Sequence, residues 1–144
     1  MTGGPGPDLL MHASCVSVQG RGLLILGPSG AGKSALALQM MALGASLVAD
    51  DQTLISVENG RLVARAPATT SGLIEARFLG LLNAPAAPQA EVVLAIDLGR
   101  QETDRLPPPR EIALAGITCA LAYSSAAPHL PASLMCYLAH GRRA

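Results

Sequence analysis

Apolar residues along the chain fall into short alternating or continuous runs that predict an α/β domain with several β-hairpins. Val16 and Val18 alternate with polar neighbours, and a glycine-rich turn separates them from the apolar run 23–26, which predicts two adjacent strands. Residues 34–43 have the length and composition of a helix, and Gly44 follows where a helix commonly ends. This order of strand, loop and helix favours parallel strands around one central helix.

The rest of the chain continues with short strands, exposed loops and one further helix. The turn Glu58-Asn59-Gly60 is a strong hairpin signal between two apolar runs. A polar segment at 99–110 contains three consecutive prolines and predicts an exposed loop. We expect a flexible start at 1–9 and a single domain over 10–144. The further predicted elements are strands at 47–49, 53–57, 61–64 and 91–97, one or two strands at 112–122, and a helix at 131–139.

Composition excludes several classes of protein. Half of the 144 residues are hydrophobic and 14% are charged, a balance that supports a folded core and argues against disorder. Ten basic residues match ten acidic ones, so we expect no nucleic acid and no membrane as partner. Three scattered cysteines, a start without leader features and no apolar stretch long enough to span a bilayer predict a cytoplasmic protein with reduced thiols.

A glycine-rich segment between an apolar run and the predicted helix has the complete pattern G-x-x-x-x-G-K-[ST]. Glycines let backbone N–H groups surround phosphate oxygens, and the start of the helix adds partial positive charge. Lys33 can reach the β- and γ-phosphates of a nucleotide, and the Ser34 hydroxyl can bind Mg²⁺. A chance match to a glycine-rich turn is the alternative, and the flanking strand and helix argue against it. The predicted phosphate loop is Gly27-Pro28-Ser29-Gly30-Ala31-Gly32-Lys33-Ser34.

Two apolar runs end in aspartate, as expected of the strand that supplies a carboxylate to a metal or to a reacting hydroxyl. One run ends in Asp50-Asp51 and the other in Asp97. Spacing alone does not choose between them, and either aspartate could belong to a turn or cap a helix. We favour the doublet, because adjacent like charges oppose each other unless a cation or a hydroxyl group is near.

Four further polar residues are weaker candidates. Glu75 and Arg77 are two apart and would share one face of a strand, where a solvated edge is the ordinary interpretation. His12 precedes the first strong strand, and a single histidine is more often structural than catalytic. Arg105 lies in the predicted exposed loop and would ordinarily be a surface residue.

Taken together, the candidate segments resemble the catalytic domain of the HPr kinase/phosphorylase family. The resemblance lies in their order and in the close spacing of the first three. The segments are His12, 27–34, 47–51, 73–77 and 104–106. Members are bacterial enzymes that phosphorylate a serine of HPr, a small phosphocarrier of the sugar phosphotransferase system. The diagnostic pieces are the L-V-A-D-D run at 47–51 and the I-E-x-R segment at 74–77. The resemblance extends from about residue 10 to residue 106, and the short chain is similar to alphaproteobacterial members, which implies a regulatory phosphotransferase branch.

The resemblance implies an α/β phosphate-loop domain of the HPr kinase/PEP carboxykinase-like type that uses ATP and Mg²⁺. Lys33 and the loop would hold ATP, while Ser34 and Glu75 would bind Mg²⁺. Asp51 would be the base that takes the proton from the attacking serine hydroxyl, and a carboxylate is ionised at pH 7 as this role requires. His12 and Arg105 would complete the active site, Arg105 on a mobile loop facing the protein substrate.

Two of the chain's departures from the family pattern concern its motifs. Phe78 stands where the family has glycine, and the segment 116–139 lacks the P-V-x-x-G-R-N motif that the family links to dephosphorylation. We therefore expect a kinase with little of the reverse, dephosphorylating activity. We also expect a homo-oligomer of unknown order. An ATP-binding regulatory sensor without phosphotransfer and a small-molecule kinase are the alternatives.

Overall fold

The chain forms a mixed β-sheet with its two helices packed into the same apolar cluster. The computed structural model describes residues 8–144, and within this range there are eleven strands and two helices. The strands are β1 (Leu9–Met11), β2 (Ser14–Val18), β3 (Arg21–Leu26), β4 (Ser46–Ala49), β5 (Thr53–Glu58), β6 (Arg61–Arg65), β7 (Leu73–Ala76), β8 (Gly80–Asn83), β9 (Ala90–Gln101), β10 (Arg110–Leu114) and β11 (Ile117–Ser124). The helices are α1 (Lys33–Ala42) and α2 (Leu130–His140).

Strand β9 is the centre of the main sheet. The path through this sheet is β1-β5-β6-β9-β3-β2-β4, with β11 also paired to β9 and β10 paired to β11. Strand β9 is parallel to β3 and β11 and antiparallel to β6. Leu26, the last residue of β3, pairs with Asp97. Because β3, β9 and β11 are parallel, their carboxyl ends point to the same edge of the sheet, where β9 continues past the end of β3 to Gln101. Ligands commonly bind at such an edge.

Apolar side chains fill both faces of the central strands. Successive residues of a strand point to opposite faces, so Leu23 and Ile25 pack in one cluster and Leu24 packs in the other. The first cluster also contains Leu36 of α1 and Leu138 of α2. Burial on both faces explains why β3 and β9 have nearly continuous apolar sequences.

The α/β fold and most of the predicted elements are confirmed. The hairpins β2–β3 and β5–β6 form where the sequence predicts them, and α1 begins and ends one residue earlier than the predicted helix 34–43. The predicted exposed loop at 99–110 is shorter than expected, because β9 continues to Gln101, which pairs with Ser124 of β11. Neither helix within residues 8–144 is long and apolar enough to cross a membrane.

The flexible start predicted at 1–9 overlaps the described residues only at its end. Residues 1–7 lie outside the described residues. Leu9 belongs to β1 and pairs with Ile55 of β5, so the ordered sheet begins inside the segment that was expected to be flexible. The exposure of Leu9 and Leu10, at an edge strand, explains why the sequence pattern gave no strand there.

Candidate functional site

The predicted phosphate loop connects the end of β3 to the start of α1. Gly27, Gly30 and Gly32 all have positive φ angles, of 149°, 83° and 100°. A side chain at Gly27 would also approach the Cβ atom of Leu98 in β9 to 3.2 Å. Glycine is therefore required both by the backbone conformation and by the close passage of β9. No side chain caps α1, so the N–H groups of its first turn remain available to an anion.

Lys33 is held inside this loop. Its side chain is buried, and Nζ donates hydrogen bonds to the carbonyl oxygens of Gly27 at 2.8 Å and Pro28 at 3.1 Å. These carbonyl oxygens satisfy part of the hydrogen-bonding capacity of a buried ammonium group, which would otherwise be costly to remove from water. The positive charge is thus fixed at the centre of the loop before any anion binds.

Asp50, at the end of β4, joins three elements around the loop. Its Oδ1 atom accepts hydrogen bonds from the hydroxyls of Ser34 in α1 at 2.7 Å and Ser14 in β2 at 2.8 Å. Its Oδ2 atom accepts one from the backbone N–H of Glu75 in β7 at 3.0 Å. The carboxylate is buried and fully partnered, so Asp50 orients Ser34 and Glu75 rather than facing solvent.

Asp51 has the opposite environment and points into solvent beside His12. The Nε2 atom of His12 lies 2.7 Å from Oδ1 of Asp51, with the two side chains 49% and 67% exposed. The Asp51 backbone has a φ angle of 66° and is fixed by a hydrogen bond from its N–H to the Ser14 hydroxyl at 3.1 Å. The backbone N–H of Ala13 donates a hydrogen bond to the carbonyl oxygen of Asp51 at 3.1 Å. Aspartate tolerates this left-handed conformation better than most residues.

One cleft brings most of the predicted site residues together. It has a volume of about 630 Å³ and includes Asp51 with His12 on one side and the phosphate loop on another. A second cavity of about 640 Å³ adjoins Asp50 and Asp51 and reaches the exposed tip of the β7–β8 hairpin. The first of these, called the cleft below, is lined by His12, Ser29, Gly30, Gly32, Lys33, Ser34, Ala35, Leu38, Gln39, Asp51, Glu75, Ala76 and Arg77.

The oxygen atoms of Ser34 and Glu75 suit Mg²⁺. Both residues line the cleft, and hydroxyl and carboxylate oxygens are ligands that Mg²⁺ accepts. Within residues 8–144 no group of three or more His, Cys, Asp and Glu side chains is arranged as a metal site. Such a sparse protein ligand set fits an ion that shares substrate phosphates and water.

Two candidate residues lie outside this arrangement. Asp97 pairs with Leu26 at the same sheet edge, but its Oδ1 atom accepts a hydrogen bond from the N–H of Gly99 at 2.8 Å and its Oδ2 atom lies 3.7 Å from Arg100. Asp50, rather than Asp97, is the strand-end aspartate in contact with Ser34. Arg105 is exposed in the loop between β9 and β10 and does not line the cleft.

Sequence reasoning missed the part played by Ser14. This buried serine bonds to the carboxylate of Asp50 and to the backbone of Asp51, so it fixes the doublet from the neighbouring strand. A small polar residue among apolar strand positions was the only available signal, and it does not reveal its partner.

Comparison with known proteins gives concordant matches. Residues 6–98 match the HPr Serine kinase C-terminal domain. The HPr kinase/phosphorylase of Clostridium tetani is 41% identical over 90 residues, which cover 62% of this chain and 30% of that protein. The enzyme of the same name from Mycoplasmopsis pulmonis is 35% identical over 102 residues, 66% of this chain and 33% of that protein.

A solved structure is similar over most of the chain. The HPr(Ser) kinase/phosphatase from Coxiella burnetii superposes with a TM-score of 0.74 at 25% sequence identity, covering 88% of this chain and 91% of that one. The alignments to the two curated relatives span only about a third of their length. The matched segment 6–98 contains the phosphate loop, the aspartate doublet and Glu75. The chain therefore belongs to the family of HPr serine kinase C-terminal domains.

Proposed function

We propose that this chain is a protein serine kinase that transfers a phosphoryl group from ATP, with Mg²⁺, to a serine of HPr or an HPr-like phosphocarrier. The observation that carries the proposal is the convergence of the phosphate loop, the Asp51–His12 pair and Glu75 on one cleft. Family membership supports the substrate class, because the curated relatives are named HPr kinase/phosphorylase.

The phosphate loop and Lys33 would bind the nucleotide. Lys33 already points into the loop, so its charge needs little rearrangement to meet the β- and γ-phosphates. The Ser34 hydroxyl and the Glu75 carboxylate would hold the Mg²⁺ ion. When bound, that ion supplies neutralisation of the phosphate charge that develops during transfer.

Asp51 would act as the base. Its Oδ1 atom is engaged by His12, which leaves Oδ2 to receive the proton of the attacking serine hydroxyl. With its hydrogen on Nε2, the His12 ring donates to the carboxylate and fixes its orientation. Arg105, on its exposed loop, would meet the carrier protein rather than the nucleotide.

The direct test measures the intact mass of HPr from the same organism after incubation with this chain, ATP and Mg²⁺. We expect a gain of one phosphoryl group on serine that is lost in Lys33→Ala. Asp51→Asn should reduce the transfer rate by about 100-fold or more, with ATP affinity measured by calorimetry nearly unchanged. Undiminished transfer by Asp51→Asn would show that another group is the base.

The same assay separates the kinase from the regulatory sensor. A sensor would bind ATP with wild-type HPr present and leave its mass unchanged over long incubation. Incubating serine-phosphorylated HPr with inorganic phosphate tests the reverse reaction, for which we expect little activity. Self-association stays a prediction and is measured by sedimentation velocity.

A further inference from the structure

The loop at 102–109 follows the end of β9, at the edge of the sheet from which the phosphate loop also starts. Strand β9 passes the end of β3, where Leu26 pairs with Asp97, and continues to Gln101 before the loop begins. A Cβ atom at Gly27 would lie 3.2 Å from the Cβ atom of Leu98, so the phosphate loop begins close to this part of β9. Glu102 donates its backbone N–H to the carbonyl oxygen of Ser124 at 2.8 Å. The first residue of the loop is therefore attached to the sheet edge that carries the candidate site.

The carboxylate of Glu102 ties the two ends of this loop together. Its Oε1 and Oε2 atoms accept hydrogen bonds from Nε and Nη2 of Arg110 at 3.0 and 2.9 Å, a bidentate pair. The Oε2 atom also accepts the backbone N–H groups of Thr103 at 3.1 Å and Asp104 at 3.2 Å. One carboxylate thus sets the path of the two residues that precede Arg105.

This ion pair is more enclosed than an ordinary surface pair. The side chains of Glu102 and Arg110 are 11% and 25% exposed. The Arg110 guanidinium lies 4.3 Å from the ring centre of Tyr123, whose hydroxyl accepts a hydrogen bond from Arg100 at 3.1 Å. Stacking on an aromatic ring and a bidentate carboxylate restrict arginine to one orientation. The hydrogen bonds from Arg110 also hold the pKa of the Glu102 carboxyl below its usual range.

Arg105 itself is left unpartnered on this anchored loop. Among residues 8–144 it has no hydrogen-bond or ion-pair partner, and it is exposed. Arg142, after α2, donates a hydrogen bond to the carbonyl oxygen of Pro107, so the middle of the loop is also held. A guanidinium that is fixed at its base and free at its tip is suited to bind an acidic or phosphorylated group on an incoming protein.

We propose that Glu102, Arg110 and Tyr123 form a loop clasp that positions Arg105 for the phosphate-accepting protein. The proposal rests on the proposed function, in which Arg105 meets the carrier. The three residues are positioning residues, because they act through the loop and do not line the nucleotide cleft.

The first arm of the test measures loop order without requiring activity. Amide hydrogen exchange is compared in the wild type, Glu102→Gln and Arg110→Lys, and we expect the amides of Thr103 and Asp104, which donate to Glu102, to exchange about tenfold faster or more in both variants. Arg65→Lys is the matched control, since Arg65 pairs with Glu58 at 2.7 Å in the β5–β6 hairpin. Unchanged exchange at Thr103 and Asp104 in both clasp variants would overturn the proposal.

The second arm measures transfer to HPr and includes the background Arg105→Ala. We expect Glu102→Gln to lower kcat/KM for HPr about tenfold, with KM for ATP changed by less than about twofold. In the Arg105→Ala background the same change should add less than about a further twofold, because the clasp acts through Arg105. If Glu102→Gln lowers kcat/KM for HPr by the same factor in the wild type and in Arg105→Ala, the clasp does not act through Arg105 and the proposal is overturned.

The two arms also separate this proposal from the proposed function. If the wild type transfers no phosphate, the kinase assignment fails while the exchange measurements still decide whether the clasp orders the loop. If the wild type transfers phosphate and Glu102→Gln transfers it equally well, the clasp fails while the kinase assignment stands.

Discussion

At the scale of single residues, the two adjacent aspartates lie in different environments, because one is buried and the other exposed. Asp50 accepts three hydrogen bonds from Ser14, Ser34 and Glu75, whereas the side chain of Asp51 is 67% exposed and pairs with His12. Sequence reasoning favoured the doublet as a unit, and the structure places Asp50 in contact with Ser34 and Asp51 in the cleft. Spacing alone could not tell the buried aspartate from the exposed one, because burial depends on strands that are distant in sequence.

Asp50→Asn should therefore destabilise the protein by about 1–3 kcal/mol. In asparagine an NH₂ group replaces one of the two carboxylate oxygens. This NH₂ group would face the N–H or O–H donors that now bond to that oxygen. Urea unfolding measures the loss, and Asp51→Asn is the matched control, expected to change the free energy of unfolding by less than about 0.5 kcal/mol. Equal losses in the two variants would contradict the role assigned to Asp50.

The three thiols should differ in reactivity. Burial raises the pKa of Cys15 to about 12 and that of Cys119 to about 11, and Cys136 is exposed on α2. Only the thiolate reacts with maleimides, so we expect mass spectrometry to find one label, on Cys136, in the native protein at pH 7. All three should react in denaturant, and rapid native labelling of Cys15 would contradict the packing of β2.

At the scale of elements, turn chemistry decides which hairpins the sequence could predict. The β5–β6 turn uses Asn59 and Gly60 with φ angles of 54° and 75°, the residues that such turns favour. The tip of β7–β8 instead places Phe78, fully exposed, at a φ angle of 71°. An aromatic residue rarely adopts that conformation, so nothing in the sequence indicated a turn there.

The loop clasp should weaken in acid. The pKa of Glu102 is lowered from its usual value of about 4.5, first by the hydrogen bonds from Arg110. A carboxyl group whose pKa is lower in the folded than in the unfolded protein stabilises the fold at pH values above its unfolded-state pKa. This stabilisation is lost as the pH falls through the folded-state pKa. The difference in the free energy of unfolding between the wild type and Glu102→Gln should therefore be constant near pH 6 and shrink below about pH 4.5.

Urea unfolding at several pH values measures this difference. Asp51→Asn serves as the comparison, since it removes an exposed carboxylate outside the clasp. A difference between the wild type and Glu102→Gln that grows as the pH falls would contradict the sign of the linkage.

At the scale of the whole molecule, bound nucleotide should raise stability. A ligand that binds only the folded state stabilises it by mass action, by about 2.7 kcal/mol at 100 times its dissociation constant. We expect Mg-ATP to raise the Tm of the wild type and to have little effect on Lys33→Ala. AMP, which lacks the phosphates that the loop would bind, is the control, and an equal shift for Lys33→Ala and the wild type would contradict the nucleotide site.

The sequence predicted the parts of the candidate site better than their assembly. The phosphate loop and the aspartate doublet were recognisable because each is a local pattern with its own chemistry. Contacts such as Ser14 with Asp50 depend on β2 lying between β3 and β4 in the sheet. That order depends on how the apolar faces pack together and is not encoded by any single segment.

The late position of β9 in the chain matters during synthesis on the ribosome. A nascent chain that ends after β6 already contains the whole phosphate-loop motif, yet it lacks the strand on which Leu26 and Gly27 rest. Until β9 emerges, one edge of β3 is unpaired, and its fully buried residues Leu23, Leu24 and Ile25 are open to other chains or to chaperones. The proposed nucleotide site is thus complete only after β9 has been made.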